Sequence, residues 1–289
     1  MLIRRAGFVA DARDLLEKST AAGGETGTIL RMASSDPTAA RCITATSAAA
    51  AVWCAVACGP ALAKPACEQR SFEGAAFTVC TVDARRAELR LVWQRKAGQA
   101  LRSFAALADE LGDDARRVQF AMNAGMFDGD GAPLGLLVAE GARLHPLDAA
   151  EGAGNFYLKP NGVFSVDADG GVRVEPSDAY AARKAESAWA TQSGPMLMID
   201  GAMHPAITAD GSSRKRRNGV GARDAHTAVF AISEVPVSFG WFARLFRDEL
   251  HCKDALFLDG AVSSLWDPRA NRRDAGHDLG PMIVVLDPR

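Results

Sequence analysis

Tyrosine is nearly missing from this 289-residue sequence, with 2 residues, and tryptophan supplies only 5. That excludes a carbohydrate-binding module built mainly on aromatic platforms, although a catalytic sugar site needs only one or two such rings. An excess of either charge is also missing: 33 Lys and Arg stand against 35 Asp and Glu, a net charge of −2. The balance gives no global electrostatic attraction to nucleic acid or to an acidic membrane surface. No CxxC pair and no Cys/His cluster has zinc spacing, which excludes a structural zinc. No internal repeat and no low-complexity linker follows residue 70. What is present is a hydrophobic share of 48%, ample for a real core.

The first 40 residues carry no coherent pattern. They are read as disordered or as preceding the true start, because Met32 can serve as an initiator. From Arg41 the character changes: residues 43–62 contain no charge, and Ala61-Leu-Ala63 precedes Lys64-Pro65. A basic residue, an apolar stretch and an A-x-A site are the parts of a secretory signal, so 41–63 is read as a signal peptide or membrane segment and 64–289 as the mature domain. The rivals are an uncleaved anchor, disfavoured by the Ala-rich composition and the Gly59-Pro60 interruption, and lipoprotein processing at Ala55-Val-Ala-Cys58. Each leads to export, so a periplasmic or extracellular place is expected. Attachment to a membrane is expected only through an uncleaved signal or a lipid anchor.

Of six Cys, Cys42, Cys54 and Cys58 leave with the signal. Cys67 and Cys80 flank a segment able to fold back as a hairpin and form the plausible disulfide, with Cys252 a buried thiol; other pairings stay open.

The mature chain alternates short strands with a few helices. Residues 77–82 and 88–93 read as a strand pair joined through Asp83-Ala-Arg-Arg86. Ser103–Leu111 has a helical stripe at Phe104, Leu107, Ala108 and Leu111, with Ser103 placed to cap it and Gly112 to end it. Strands follow at 118–122, 134–139, 156–158, 163–166, 172–174, 196–199 and 225–232. Residues 238–250 form the clearest helix, and 282–286 the last strand. The expectation is one α/β domain, β-rich, with a mixed sheet flanked by a few helices.

One stretch carries chemistry on its face. The apolar run 255–258 ends in Asp259-Gly260, and two hydroxyls follow at Ser263 and Ser264. A carboxylate at the end of a buried strand is costly unless something pairs with it or uses it. Its bland reading is a turn cap, where Asp-Gly is common. Two other polar turns border apolar strands, Asn123-Ala-Gly125 and Gln192-Ser-Gly-Pro195, and loops at strand ends are where such proteins gather ligand groups. The basic run Arg214 to Arg217, with Arg223, offers bidentate donors to a phosphate, against the bland reading of a solvated face.

In that order, Asn-Ala-Gly-Met-Phe from Asn123, Ser-Gly-Pro-x-Leu-x-x-Asp-Gly from Ser193, Arg-Asn-x-Val-Gly from Arg217 and Leu-Asp-Gly-x-x-Ser-Ser from Leu258 resemble the phosphodiester glycosidase family, in its short single-domain bacterial branch. The likeness runs from about Phe77 to Leu286. It implies hydrolysis of the bond between a sugar's anomeric carbon and a phosphodiester oxygen, with no cofactor and with a glycosyl phosphodiester or envelope polysaccharide as partner. Carried over by motif, Asp259, Arg217 and Asn123 are the catalytic candidates. Ser193, Asn218, Gly260, Ser263 and Ser264 are substrate-binding candidates, joined by Arg223 and by His204, which stands between two motifs. Members often have Gly where Ala261 stands, so a methyl group is expected to narrow the pocket or change the substrate. A phosphate is a good leaving group, so Arg217 is expected to hold it, helped by Arg223, while Asp259 stabilises the oxocarbenium-like carbon or activates water.

The competing readings are fewer. Asp128-Gly-Asp-Gly131 and Asp167-Ala-Asp-Gly170 resemble fragments of calcium loops without the full ligand series. His226, like His204, is a lone histidine. A Ser-His-Asp hydrolase lacks its G-x-S-x-G elbow. The non-enzymatic alternative is an exported protein that binds a sugar phosphate or polysaccharide without turnover.

Overall fold

A computed structural model of the chain describes residues 66–184 and 186–289. The readings of 1–40 as disordered and 41–63 as a signal lie outside the described residues. No helix among the described residues is long and apolar enough to cross a membrane.

Three sheets make up the described body. The seven-stranded sheet has the order Cys67–Phe72, Ala75–Asp83, Thr227–Ser233, Asn218–Ala222, Asp254–Phe257, Met196–Ile199 and Ala202–Met203. A five-stranded sheet runs Arg272–Arg273, Leu265–Asp267, Val118–Asn123, Met282–Leu286 and Glu88–Val92. A second five-stranded sheet runs Ala142–His145, Leu137–Ala139, Ser187–Ser193, Gly162–Asp167 and Val172–Pro176. Every pairing between these strands is antiparallel, so the expected mixed sheet is corrected to three antiparallel ones, and sheets dominate over helices.

The seven-stranded sheet is buried on both faces, which is why its central strands read as unbroken apolar runs. Alternation sends Phe77, Val79, Val229 and Ala231 to one side, against Phe242 and Phe246 of the helical segment. Cys80, Val82, Phe230, Ile232, Val220 and Leu256 go to the other side, where they meet Phe120 and Ile283 of one smaller sheet and Phe164 and Val166 of the other.

Local signals hold where they depend on neighbours in sequence. Ser103 Oγ accepts the Ala106 N–H at 3.1 Å and caps helix Phe104–Leu111, which Gly112 ends at φ 56°. Ser238 Oγ accepts the Trp241 N–H at 3.1 Å, opening helix Phe239–Arg244, and a π turn follows at Leu245–Glu249. Cys67 and Cys80 face each other across two antiparallel strands and form the disulfide. Cys252 is a buried free thiol whose pKa burial pushes up to about 12.

Pairing partners differ from expectation. Strand Glu88–Val92 does not pair with Ala75–Asp83; it joins Met282–Leu286 in another sheet, because the turn closed by Arg86 N–H to Asp83 O (2.9 Å) carries the chain from one sheet to the next. Residues 156–158, expected as a strand, form a turn, with Leu158 N–H on Asn155 O at 3.2 Å.

Candidate active site

The Asp259 loop and three strand ends meet at one place. Strand Asp254–Phe257 runs between Asn218–Ala222 and Met196–Ile199, and Leu258 N–H donates to Asn218 O at 3.1 Å as it leaves the sheet. Asp259 N–H then donates to Ala124 O at 3.0 Å, which ties the loop to the end of strand Val118–Asn123. Gly260 is required by packing: a Cβ there would collide with the Phe257 ring.

Asn123 is the hub, with 1% of its surface exposed. Its Oδ1 accepts Ser264 N–H at 2.8 Å and Asn218 Nδ2 at 3.0 Å, and its Nδ2 donates to Asp259 O at 2.7 Å. Ser263 Oγ donates to Asn218 Oδ1 at 3.0 Å, and Ser264 Oγ to Val262 O at 2.7 Å. Six candidate residues, Asn123, Asn218, Asp259, Gly260, Ser263 and Ser264, are thus gathered together. Asn123, Asn218 and Ser263 bond one another through their side chains, while Asn123 also holds Asp259 O and Ser264 Oγ holds Val262 O, so together they fix the Asp259 loop.

Among the described residues no cation lies within ion-pair distance of the Asp259 side chain. Its Oδ1 accepts the Ala261 N–H at 3.2 Å, and burial pushes its pKa above the usual carboxylate range. The residue keeps a partly exposed surface although its carboxyl is largely desolvated. Ala261 is exposed, so its methyl group meets solvent.

Arg217 lies on the opposite face of its strand from Asn218, with 2% of its surface exposed. Its guanidinium stacks 3.6 Å from the Phe239 ring centre and 5.5 Å from that of Phe257. Nε donates to Val237 O at 2.9 Å and Nη2 to Ser213 O at 3.0 Å, leaving Nη1 with no protein partner among the described residues. No carboxylate among those residues lies within ion-pair distance, and burial lowers its pKa from the ordinary guanidinium value to about 10. The Phe257 ring therefore touches both halves of the candidate site, the guanidinium and the Gly260 backbone next to Asp259.

Ser193 ends strand Ser187–Ser193 fully buried, and its Oγ has no partner among the described residues. The next residues adjoin the Asp259 strand, since Pro195 O accepts Phe257 N–H at 3.1 Å. His204 is 1% exposed; its Nδ1 accepts Ala206 N–H at 3.1 Å, which puts the ring proton on Nε2. Nε2 has no partner at hydrogen-bonding geometry, and burial holds the pKa below the ordinary imidazole value, offset in part by the Lys159 backbone. The ring is therefore a neutral, buried donor.

Arg223 is corrected. It follows the far end of strand Asn218–Ala222, about 16 Å along the strand from Asn218 at the usual rise. Its Nε donates to Leu250 O at 3.1 Å, which anchors the end of the helical segment instead of aiding Arg217.

Other residues support the site, Gln192 from a polar turn already visible in the sequence and the rest without a local signal. Gln192, buried, accepts Leu136 N–H at 3.0 Å and Asp148 N–H at 2.9 Å on one oxygen, and so holds two loops beside Ser193. Phe239, on which Arg217 stacks, and Phe257, which meets the Phe239 ring edge to face beside it, read as ordinary core residues. Arg272 donates to Glu234 at 2.6 Å and Asp274 at 2.8 Å; Asp274 accepts Leu265 N–H at 3.1 Å and Glu234 accepts from Arg216 at 3.4 Å. That chain of ion pairs ties the segment after Ser264 to the segment before Arg217.

Among the described residues no group of three His, Cys, Asp or Glu side chains is placed to hold a metal ion. Asp128 instead closes its own turn, accepting Asp130 N–H at 3.0 Å and Ala132 N–H at 2.9 Å. His226 Nδ1 sits 3.0 Å from Gly170 O, away from Asp259.

Comparison with known proteins finds relatives of this chain by sequence and by fold. The zebrafish N-acetylglucosamine-1-phosphodiester alpha-N-acetylglucosaminidase catalytic domain, in a form auto-inhibited by its pro-peptide, shares the fold with a TM-score of 0.54 at 14% identity, over 77% of this chain and 82% of that one. A hypothetical protein from Synechocystis matches with a TM-score of 0.48 at 15% identity; the aligned part covers 77% of this chain and 61% of that protein. The uncharacterized protein YigE of Escherichia coli K12 is 38% identical over 186 residues, 64% of this chain and 72% of YigE. The phosphodiester glycosidase family model matches residues 116–285, which takes in Asn123, Ser193, Arg217 and Asp259, and this chain belongs to that family.

Proposed function

We propose that this protein is a hydrolase that cleaves the bond between a sugar's anomeric carbon and a phosphodiester oxygen. The observation that carries the reading is the Arg217 guanidinium: buried and, among the described residues, without a carboxylate and with Nη1 uncommitted. A buried cation without a counter-ion is costly, and an incoming phosphate supplies the missing charge.

The chemistry then divides between the two sides of Phe257. Arg217 holds the phosphodiester and stabilises the negative charge that grows on the leaving oxygen. Protonation of that oxygen is less needed than in ordinary glycoside hydrolysis, because phosphate leaves as a stable anion. Asp259, made more basic by burial, takes the proton from an attacking water. The water oxygen bonds to the anomeric carbon, the bond to the phosphate oxygen breaks, and its electron pair stays on the phosphate. Ser193 Oγ, buried without a partner among the described residues, and His204 Nε2, which has only the Lys159 backbone near it, donate to the bound substrate.

The disulfide between Cys67 and Cys80 belongs to an oxidising compartment, which supports export to the periplasm or outside the cell. The first assay follows from the zebrafish relative: full-length protein with an N-acetylglucosamine phosphodiester, then a panel of other glycosyl phosphodiesters, read as released sugar. Affinity without product across the panel contradicts the hydrolase and leaves a binding protein.

A further inference from the structure

We propose that the surface beside Arg217 is an anion track that seats neighbouring phosphates of a polymer, so that the substrate class is a chain of phosphate-linked sugars rather than one small phosphodiester. The proposal rests on the phosphodiester reading of the Arg217 site and extends it to the next subsites.

Charge accounting in the fold singles this segment out. Arg216 pairs with Glu234 at 3.4 Å, Arg272 with Glu234 at 2.6 Å, and Arg244 with Glu73 at 2.7 Å. Arg214, Lys215 and Arg217 have no carboxylate within ion-pair distance among the described residues. The acids near them are already engaged: Asp210 lies 3.7 Å from Arg244, and Asp274 pairs with Arg272 at 2.8 Å. Four consecutive like charges, one of them neutralised, give this segment a locally positive field.

Two of these cations are held by the same turn of helix. The Arg214 guanidinium sits 5.4 Å from the Trp241 ring centre, and that of Arg217 sits 3.6 Å from Phe239, two residues away on helix Phe239–Arg244. Arg217 is buried, whereas Arg214 and Lys215 are exposed. Trp241 Nε1 is buried with no partner among the described residues. A lone phosphate needs only the buried guanidinium; two exposed cations continuing from it serve a ligand that repeats its charge. Binding of this kind releases counterions and weakens steeply with salt.

The test uses the full chain, with inorganic polyphosphate and orthophosphate as probes, titrated calorimetrically at about 50 to 200 mM salt. Polyphosphate is expected to bind at least about tenfold tighter than orthophosphate, with affinity falling linearly in log salt. The double variant Arg214→Ala/Lys215→Ala is expected to lose that advantage and to lower the salt slope by about 1.4, at roughly 0.7 per lost contact. Because both side chains are exposed the variant keeps its fold, and Arg214→Lys/Lys215→Arg is expected to retain the wild-type slope. Equal affinity for the two probes in the wild type, or an unchanged slope in the double alanine variant, overturns the track. Failure of the underlying reading shows separately, as an Arg217→Met variant that binds orthophosphate as well as the wild type.

Discussion

Replacing Arg217 by methionine separates function from stability, because the guanidinium is held at a loss. Burial lowers its pKa from the ordinary guanidinium value to about 10. At about 1.4 kcal/mol per pH unit, keeping the charged form inside the fold costs about 3 kcal/mol. Methionine fills a similar volume without charge and removes that cost. Against it stand two hydrogen bonds, each about 1 kcal/mol, and the stacking on Phe239, about 1 kcal/mol. The carbonyls left behind are not stranded, since Val237 O also accepts Lys215 N–H at 3.2 Å and Ser213 is exposed. Loss and gain nearly cancel, so Tm is expected to stay within about 5 °C of the wild type. Turnover on a glycosyl phosphodiester is expected to fall by about 100-fold or more, as for removal of one charge-stabilising donor. The pH dependence has a definite sign. Between about pH 10 and 12.5 the unfolded chain holds more protons at this residue than the folded one, so wild-type stability gains from Arg217 as pH rises, and the methionine variant lacks that gain. Differential scanning fluorimetry with and without phosphate, beside steady-state kinetics, reads both effects. A variant that loses more than about 3 kcal/mol yet keeps wild-type turnover refutes the reasoning and makes Arg217 a structural residue.

The other perturbations address the rest of the account. Asp259→Asn is expected to abolish turnover while flattening the pH dependence of stability. The folded-state pKa is raised, so the wild type loses stability as pH rises from 3.8 through the folded value, and the amide does not; unchanged turnover contradicts the role of Asp259. Cys67→Ser/Cys80→Ser opens a disulfide between residues 13 apart and is expected to cost about 3 kcal/mol, measured by urea unfolding; a loss under about 1 kcal/mol contradicts a stabilising role for the link. Arg272→Met leaves Glu234 and Asp274 with Arg216 alone and is expected to cost about 2 to 4 kcal/mol, with Lys restoring part of it; an unchanged midpoint shows that Arg216 alone suffices.

What could be read in advance followed the range of each physical signal. The Asp259-Gly260 turn, the Ser103 cap and the Cys67–Cys80 link depend on residues close in sequence, and each stands where expected. Asn123 was legible as a polar residue ending an apolar strand, and the ordered motifs put it with Asp259 and Asn218. Its neighbours' hydroxyls were not legible as scaffold, because only the folded contacts reveal that Ser263 and Ser264 are consumed by Asn218 and Val262. Strand partners were least accessible: alternation along residues 88–92 says that a face is buried, not which strand covers it. Arg223 differed for a related reason, since the five residues of strand Asn218–Ala222 separate it from the basic run it stands beside in sequence. Phe239 and Phe257 looked like core residues, and only their meeting beside Arg217 gives them a part in the site.

The most direct measurement of the central claim is hydrolysis in water enriched in oxygen-18, followed by mass spectrometry of both products. Attack at the anomeric carbon places the label in the hydroxyl of the released sugar and none in the phosphate, and the Asp259→Asn variant gives neither product. Label in the phosphate shows cleavage at phosphorus and contradicts the account.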